Sequence, residues 1–551
     1  MAKQKYKKGY STPDKMGFPR AVTAAWVYLM FTLFPLIYHD YYFDILETKT
    51  RTFYFLTVTM IVLAAGWGIF SGEFAKVFGS DEKFGFSLTD WSMLIFWGVA
   101  GISTLAAGKY MKQAFTGEEG RFVGFAFITT ITLAYFLVTR YLKFSKHMVT
   151  AFLCMEILLC LFGITDFYCM NLLHFKDHMK NGQEKIFFST IGNINSYTVM
   201  VGFAVVMSGV LFIMSRESVK RTLFYLVTLM ISLTALTVGS SDNGYLTLMV
   251  FFGLVPFAAF RNLKSTARYF AVLAAYFTNI ARIWHIEQVR TEKGLPFVEI
   301  DGLFNVIAKL PVLPVLILGL WIIAALFYYA DHKFSRRQET VDRVLKAMRI
   351  LWLLFAILVV GTAAALFIKA NSMGAKEAAE KFGALEHYLY FDNEWGNQRG
   401  YVWRVCLEEF SELSLFKKLV GTGPDCFSVQ MLLHRYQEMK DVTGMIYDSA
   451  HNEFLQYLFT VGFLGLIAYV GQLAGAVLSA FRTALRTETG EGKREPFYGA
   501  YYWAFGFTVI GYALQSVVNI NIPVASPLLW VFIALAEAAA RENKEKPAAK
   551  A

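Results

Sequence analysis

Apolar runs long enough to cross a lipid bilayer recur along the whole chain, and they restrict its fold more than any other feature. A run of about 18 residues or more can span the apolar core of a membrane as a helix. Fourteen such runs can be counted in the 551 residues. They lie near 21–39, 52–70, 91–108, 122–139, 148–165, 196–214, 222–240, 244–260, 269–285, 312–330, 350–368, 457–481, 498–516 and 525–541. Because the short alternating strands of a membrane β-barrel are absent, the sequence predicts an all-α, polytopic membrane protein with about 12–14 transmembrane helices.

The composition agrees with helices that are surrounded by lipid. Hydrophobic residues make up 56% of the chain and charged residues 17%, whereas soluble proteins carry about a quarter charged residues. Basic residues in cytoplasmic loops, which membrane proteins have in general, account for most of the net charge of +10. We therefore expect contact with membrane lipids and none with nucleic acid.

The positions of the basic residues predict the orientation of the chain. Clusters of Lys and Arg fall on one side when fourteen spans are counted, and this side is expected to be the cytoplasm. Both termini would then be cytoplasmic, in a multi-pass protein of the cytoplasmic (inner) membrane. The loop 71–90 is slightly acidic and yet falls on the same side. No small-residue cleavage site follows the first apolar run, so we expect that run to remain as a span.

The predicted spans divide the chain into three parts. Residues 1–368 hold the N-terminal transmembrane helices, 369–451 form a large extracytoplasmic loop, and 452–551 hold the C-terminal helices and a cytoplasmic tail. The loop is rich in aromatic residues and has helical periodicity, so we expect a small helical domain. A disulfide and two buried thiols are both compatible with its cysteines, Cys406 and Cys426, and buried thiols are the expectation.

The stretch SAHNEFLQ marks the point where the polar loop meets the next apolar run. Asn452 is a good N-cap and Glu453 suits a first helical turn, so a helix is expected to begin here, with His451 just before it. Free N–H groups at a helix start favour an anion such as phosphate, and a histidine can accept a proton near neutral pH. The alternative is a helix cap beside an interfacial histidine that has no chemical role.

This histidine belongs to a longer pattern, H-N-x9-G-x-x-G, which runs from His451 to Gly465. Upstream, Arg399 and Trp403 form an R-x-x-x-W element. G-x-G and G-N-x-N elements are formed by Gly421 and Gly423 and by Gly192, Asn193 and Asn195. In order and spacing, the set resembles the signature of the O-antigen ligase and polymerase superfamily of bacterial membrane glycosyltransferases.

One turn departs from that superfamily. Its members often carry Ser-Arg-Gly at the outer turn before a mid-chain span, whereas this turn reads SSDNGYL, with Asp242 and Asn243 where the arginine would stand. If that arginine holds the donor pyrophosphate in the superfamily, another group must do so here, or the substrate differs. By position, Arg121 and Arg282 are the outward candidates.

The resemblance implies a GT-C-like membrane enzyme of cell-surface polysaccharide assembly. Such an enzyme transfers a glycan from an undecaprenyl-pyrophosphate carrier to a glycan, lipid or protein acceptor on the outer side of the membrane. It implies inversion at the sugar, without a metal and without a cofactor. His451 would be the catalytic base. The substrate-binding residues would include Arg399 and Asn452, which lie in the motifs, and position in the sequence adds Asp448, Arg404 and Arg121 as candidates.

Several of these assignments have structural alternatives. Arg399 could offer a planar fork to phosphate oxygens or form a salt bridge within the loop. Arg404 lies one helical turn before Glu408, so a surface ion pair is the stronger expectation there. Asp448 could orient the imidazole of His451 or serve a turn as a capping residue.

Other functions also fit many apolar spans. Within the superfamily, the motifs do not separate a ligase, which moves a finished glycan, from a polymerase, which joins repeat units. A transporter should carry ionisable residues buried in the middle of spans and broken helices. A non-catalytic scaffold of an envelope assembly complex would keep the spans and would not need His451. The concentration of polar residues in the outer loop favours the enzyme.

Overall fold

The computed structural model describes residues 17–72, 74, 85–177, 179, 183–300, 302–334 and 337–543. The basic N-terminal tail, most of the acidic loop and the end of the C-terminal tail lie outside these residues. In the described part, the extended structure is one antiparallel pair of short strands, β1 (Phe187–Phe188) and β2 (Gly192–Asn193). The other regular elements of the described chain are helices, which confirms the predicted all-α class.

Fourteen long helices of the described chain coincide with the fourteen predicted runs. They are α1 (Gly17–Leu36), α2 (Ile45–Phe70), α3 (Leu88–Ala106), α4 (Phe125–Tyr141), α5 (Lys146–Phe167), α6 (Ile194–Met214), α7 (Val219–Val238), α8 (Asn243–Ala259), α9 (Leu263–Glu292), α10 (Leu313–Phe334), α11 (Gln338–Asn371), α12 (Gly462–Glu488), α13 (Gly499–Gln515) and α14 (Ser526–Glu542). Among the described residues, nine of these helices are long and apolar enough to cross a membrane. Helices α4 and α8 are apolar but shorter, and α9, α13 and α14 are more polar. The fold is therefore that of a polytopic helical membrane protein.

Shorter helices connect the long ones. The polar segment between α11 and α12 contains most of them, including a kinked helix of 18 residues, Trp395–Glu412. The stretch SVQMLLHRYQEMK forms two short helices, which meet at Arg435. The short α-helices are Met111–Thr116, Leu303–Ala308, Ala375–Phe382, Glu386–Leu389, Leu415–Val420, Phe427–His434, Tyr436–Thr443 and Glu453–Thr460. The 3-10 helices are Gly108–Tyr110, Glu184–Ile186, Gly383–Leu385 and Pro496–Tyr498.

Helix α6 forms the centre of the bundle. In its most apolar 18-residue window, 89% of the residues are buried inside the protein. Around α6 pack α5, α7, α8 and α13, which share one continuous hydrophobic core with it. A helix that is apolar on every face is stable only when it is enclosed in this way or surrounded by lipid.

Buried ion pairs join the helix ends on one side of the bundle. At the start of α3, Asp90 accepts hydrogen bonds from Arg541 at the end of α14 and from Arg140 at the end of α4, the latter at 3.3 Å. Arg541 also donates to the carbonyl of Gly85 at 3.2 Å. The described end of the acidic loop therefore lies on the same side as the end of α14, as the alternation of fourteen spans requires.

Helix α11 stands away from the rest of the protein over much of its length. Residues 353–369 are exposed on all faces except at Ala356. Below this stretch, the indole N–H of Trp352 donates to the carbonyl of Gly253 in α8 at 2.9 Å. Above it, the side-chain amide of Asn371 donates to the carbonyl of Leu389 at 2.7 Å. We refer to the exposed side of this stretch, between the contact with α8 below and the contact with the polar segment above, as the lateral window.

The polar segment between α11 and α12 has a small core of its own. Val402 and Cys406 are buried there, and Phe410 and Leu413 pack against them, which confirms the helical spacing seen in the sequence. Cys406 and Cys426 are free, buried thiols, which confirms the expected alternative to a disulfide.

Candidate active site at the end of the polar segment

The helix that was predicted to begin at Asn452 and to continue as a span is broken in two. A short helix, Glu453–Thr460, ends at Val461, and α12 starts at Gly462, which has a φ of +77°. A residue with a side chain rarely adopts such a φ, so the first glycine of the motif H-N-x9-G-x-x-G is required at this position. The break ends the first helix before α12 enters the bundle.

The G-x-G element supplies the donors that the break requires. The carbonyl of Phe459 accepts a hydrogen bond from the amide of Thr422 at 3.2 Å, and the carbonyl of Thr460 accepts one from the amide of Gly423 at 3.0 Å. Gly421 has a φ of +89°, and a Cβ atom there would collide with the backbone at Thr460. Two motifs that are distant in sequence therefore form one backbone contact, which fixes the short helix and its first residues.

Asn452 caps the short helix as predicted, but the cap leaves no anion site. Its side-chain oxygen accepts hydrogen bonds from the amides of Phe454 and Leu455, both at 3.0 Å. The amide of Glu453 donates to the carbonyl of Ser516 at 2.8 Å. The N–H groups of Glu453, Phe454 and Leu455, which were expected to receive the pyrophosphate, are therefore already hydrogen-bonded within the protein.

His451 lies just before this cap with a left-handed backbone, at a φ of +48°. Its ring meets the ring of Tyr447 edge-on, with 5.8 Å between the centroids. Burial lowers the pKa of His451 to about 4, and the nearby positive charges of Arg121 and Arg399 act in the same direction, whereas Asp448 opposes them. The imidazole is therefore neutral at pH 7, the form that can accept a proton.

The carboxylate of Asp448 is paired with Arg121, a contact that neither sequence interpretation included. The guanidinium Nε of Arg121 donates to one carboxylate oxygen at 3.1 Å, and Nη2 donates to the other. Asp425 in turn holds the loop that carries Arg121, because its carboxylate accepts from the amides of Glu118 at 2.8 Å and Val123 at 3.2 Å. Asp448 is therefore bound to Arg121 and does not cap a turn. It acts on His451 through its charge.

The R-x-x-x-W element approaches His451 from the other side. The indole N–H of Trp403 donates to the carbonyl of Ala450 at 3.0 Å, and thus fixes the residue before His451. One turn earlier, the guanidinium of Arg399 donates to the carbonyl of Gly396 at 2.6 Å. The expected loop salt bridge is not formed with any described residue, and Nε of Arg399 is buried without a hydrogen-bond partner. Burial lowers the pKa of Arg399, although the charge of Asp242 raises it.

Two other arginines lie in different surroundings. Arg404 donates to the carboxylate of Glu408 at 2.7 Å, the surface pair that its spacing predicted. Arg282 donates to the side-chain oxygen of Asn279 at 2.9 Å and contacts Thr234, so it belongs to the contact between α7 and α9. Of the two candidates for the missing arginine, the structure brings Arg121 to the histidine.

The G-N-x-N element contacts two other segments. One is the turn SSDNGYL, which differs from the superfamily pattern, and the other is the segment that follows α13. The side-chain oxygen of Asn195 accepts from Ser241 at 2.8 Å and from Asn243 at 3.2 Å. The side-chain amide of Asn519 donates to the backbone carbonyl of Asn195 at 3.4 Å. Gly192 precedes this cluster with a φ of +93°.

A cavity beside Ser449 and Asn452 has polar residues in its walls that the sequence interpretation missed. Its described walls include Asp425, Ser449, Gln456, Asn519 and Asn521, together with Arg121 and Asn452. The hydroxyl of Ser449 and the side-chain oxygen of Asn521 are buried without a hydrogen-bond partner in the described part. Two asparagines within the apolar stretch VVNINIPVAS, Asn519 and Asn521, could have indicated this cavity from the sequence.

Comparison with known families agrees with these motifs. Residues 314–470 match the Wzy_C family model, described as O-antigen ligase. The matched range contains the R-x-x-x-W element, the G-x-G element and the complete H-N-x9-G-x-x-G motif, whereas the G-N-x-N element lies before it. No curated protein sequence matches the chain.

The contact between the two glycine motifs can be tested by substitution. In Gly462→Ala, the new Cβ atom would collide with backbone atoms of Leu419, in addition to the strain of its positive φ. Gly444→Ala is the matched control, since Gly444 has a φ of +68° and open space around the new atom. We expect Gly462→Ala to be less stable than the control by about 1–3 kcal/mol, the usual cost of overpacking. Equal melting temperatures of the two purified variants would contradict the contact.

Proposed function

Since residues 314–470 carry an O-antigen ligase domain, we propose that this membrane protein is a glycosyltransferase that acts on an undecaprenyl-pyrophosphate-linked glycan at the outer face of the cytoplasmic membrane. The domain itself supports a membrane glycosyltransferase-type role in polysaccharide assembly. The observation that carries the finer proposal is a neutral His451 placed between the charges of Arg121 and Arg399. This arrangement combines a proton acceptor with cations suited to a leaving pyrophosphate.

The reaction we propose is a single displacement with inversion at the sugar. The imidazole of His451 takes the proton of the acceptor hydroxyl as the oxygen attacks the anomeric carbon. The bond from that carbon to the phosphate oxygen breaks, and its electron pair leaves with the pyrophosphate. Arg121 and Arg399 stabilise the charge that develops on the leaving group. No step requires a metal, and a ligase and a polymerase would use the same chemistry.

The lateral window beside α11 supports a lipid-linked donor. A polyprenyl chain must remain in the membrane while its pyrophosphate reaches polar residues. The exposed stretch 353–369 would leave room for such a chain between α11 and α8. Above the window, the hydroxyl of Tyr388 donates to Asp242 at 2.9 Å, and Asp242 is close enough to influence the pKa of Arg399. The contact at the upper end of the window is thus followed by Tyr388 and Asp242, and the charge of Asp242 acts on Arg399.

A transporter remains the alternative from a different class. Helix α5 carries Glu156, whose two carboxylate oxygens are buried without a hydrogen-bond partner among the described residues. Its neighbours include Cys160 and Tyr197, and Tyr197 also interacts with Asp166. The break before α12 is explained by the G-x-G contact. A buried ionisable residue and a broken helix, the two features expected of a transporter, are thus both present, but the break serves to position His451, and Glu156 is not among the groups that act on this histidine.

Replacement of the proposed base should stop transfer. His451→Ala should lower the rate of transfer from a purified lipid-linked donor by about 10²–10⁴-fold, the usual contribution of a general base, with membrane insertion unchanged. The control is His387→Ala, which alters a histidine whose side chain is 86% exposed. Wild-type activity in His451→Ala would remove the assignment. Loss of wild-type activity in excess chelator would remove the proposed independence of metal.

The pH dependence should report the depressed pKa of the histidine. Since the pKa of His451 in the free protein is about 4, its neutral form is present above that pH and is lost as the pH falls through it. We therefore expect kcat/KM, which reports ionisations of the free enzyme, to fall only near pH 4 and to remain level around 6.5. An acid limb near the ordinary histidine value would contradict the buried, cation-flanked site.

The proposed orientation can be tested by labelling. Lys381→Cys places a thiol on an exposed helix of the polar segment, and Arg486→Cys places one on the exposed end of α12. In a background with Cys154 and Cys169 replaced by serine, an impermeant maleimide should label the first thiol in intact cells. It should label the second only after permeabilisation. The reverse pattern would place the histidine in the cytoplasm and overturn the proposed donor.

A further inference from the structure

We infer that Arg121 and Asp448 form an exchangeable pair, in which the pyrophosphate of the donor replaces the carboxylate on the guanidinium and releases Asp448 toward His451. Asp448 is then a positioning residue that acts through the histidine. This inference rests on the proposed function, since it requires a pyrophosphate-bearing ligand at the same site.

The pair already has the geometry of phosphate binding. Nε and Nη2 of Arg121 each donate to a different oxygen of Asp448, so the carboxylate occupies both arms of the guanidinium. Two adjacent phosphate oxygens can accept the same two hydrogen bonds. A pyrophosphate cannot bind this edge of Arg121 until the carboxylate has left it.

The two partners differ in how firmly the protein holds them. The side chain of Arg121 is 9% exposed, whereas that of Asp448 is 49% exposed. The arginine is also fixed independently of its partner, because Asp425 binds the backbone of its loop at Glu118 and Val123. The anion is therefore the mobile member, and the cation stays in the wall of the cavity when the anion leaves.

The exchange would change the charge around the histidine in a favourable direction. The groups that act on His451 are Arg121 and Arg399, which disfavour its protonation, and Asp448, which favours it, while Tyr447 meets its ring edge-on. A bound pyrophosphate would neutralise the two arginines, and the carboxylate would no longer be committed to Arg121. The imidazole would thus become a stronger base only when the donor is present.

The decisive experiment measures binding of geranyl pyrophosphate to the purified full-length protein in detergent. Asp448→Asn removes the competing charge and keeps the size of the side chain. The exchange predicts that this variant binds the probe about two- to fivefold more tightly than wild type. This range is the change in Kd that corresponds to the measured coupling free energies of partly exposed ion pairs. A purely structural role for the pair predicts equal or weaker binding, and that result would overturn the inference.

Two further variants control the result. Asp441→Asn removes a carboxylate of the same segment, one that accepts a hydrogen bond from Gln437 at 2.8 Å, and it should leave probe binding unchanged. If the Asn variant of Asp448 unfolds at a lower temperature than wild type, Asp448→Ser repeats the test without the charge. Tighter binding in Asp441→Asn as well would indicate a general charge effect and would also overturn the exchange.

The transfer reaction separates this inference from the proposed function. In wild type, the acid limb of kcat should lie at a higher pH than that of kcat/KM, because the bound donor raises the basicity of His451. Asp448→Asn should reduce this separation. Tighter probe binding without any glycan transfer would support the exchange and overturn the proposed function. Normal glycan transfer together with unchanged probe binding in Asp448→Asn would support the proposed function and overturn the exchange.

Discussion

A broken helix that enters the apolar interior of a membrane protein leaves carbonyl groups that must find donors inside the protein. At the break between the short helix and α12, the G-x-G loop provides those donors, and the hydroxyl of Ser103 in α3 adds a third at 2.8 Å from the carbonyl of Thr460. This contact holds three distant segments in register. The position of His451, eleven residues before Gly462, depends on it, because the capped helix between them is too short to be placed by its own packing.

The charges around His451 are distributed unevenly, and this distribution gives the site its chemistry. Arg121 has a carboxylate partner that is half exposed, whereas Arg399 donates to a backbone carbonyl and has no ion-pair partner among the described residues. An excess of positive charge therefore surrounds a neutral base. Such a site attracts a polyanion and keeps the imidazole unprotonated until the anion arrives. The same two arginines therefore attract the anionic ligand and keep the base neutral.

The positions of the spans could be predicted because length and apolarity are local properties, and all fourteen predicted runs correspond to helices. The N-cap of Asn452 and the pair of Arg404 with Glu408 could be predicted for the same reason. The sequence did not show which partners distant in the chain the residues near His451 would have. The amide of Glu453 is occupied by Ser516, and Asp448 is occupied by Arg121, 327 residues away. Asp425 was missed because its role, to hold the loop of Arg121, leaves no periodic pattern in the sequence.

The isolation of α11 also bears on how the sequence of this protein can vary. Along 353–369 the side chains meet lipid instead of protein, so their shapes have no complementary surface to fit. Exchange among leucine, isoleucine, valine and phenylalanine is nearly neutral on such a surface, whereas a charged side chain is costly in lipid. The strict requirements fall on the two anchors, Trp352 and Asn371. Within one helix, therefore, the rate of sequence drift should be high in the middle and low at the attachment points.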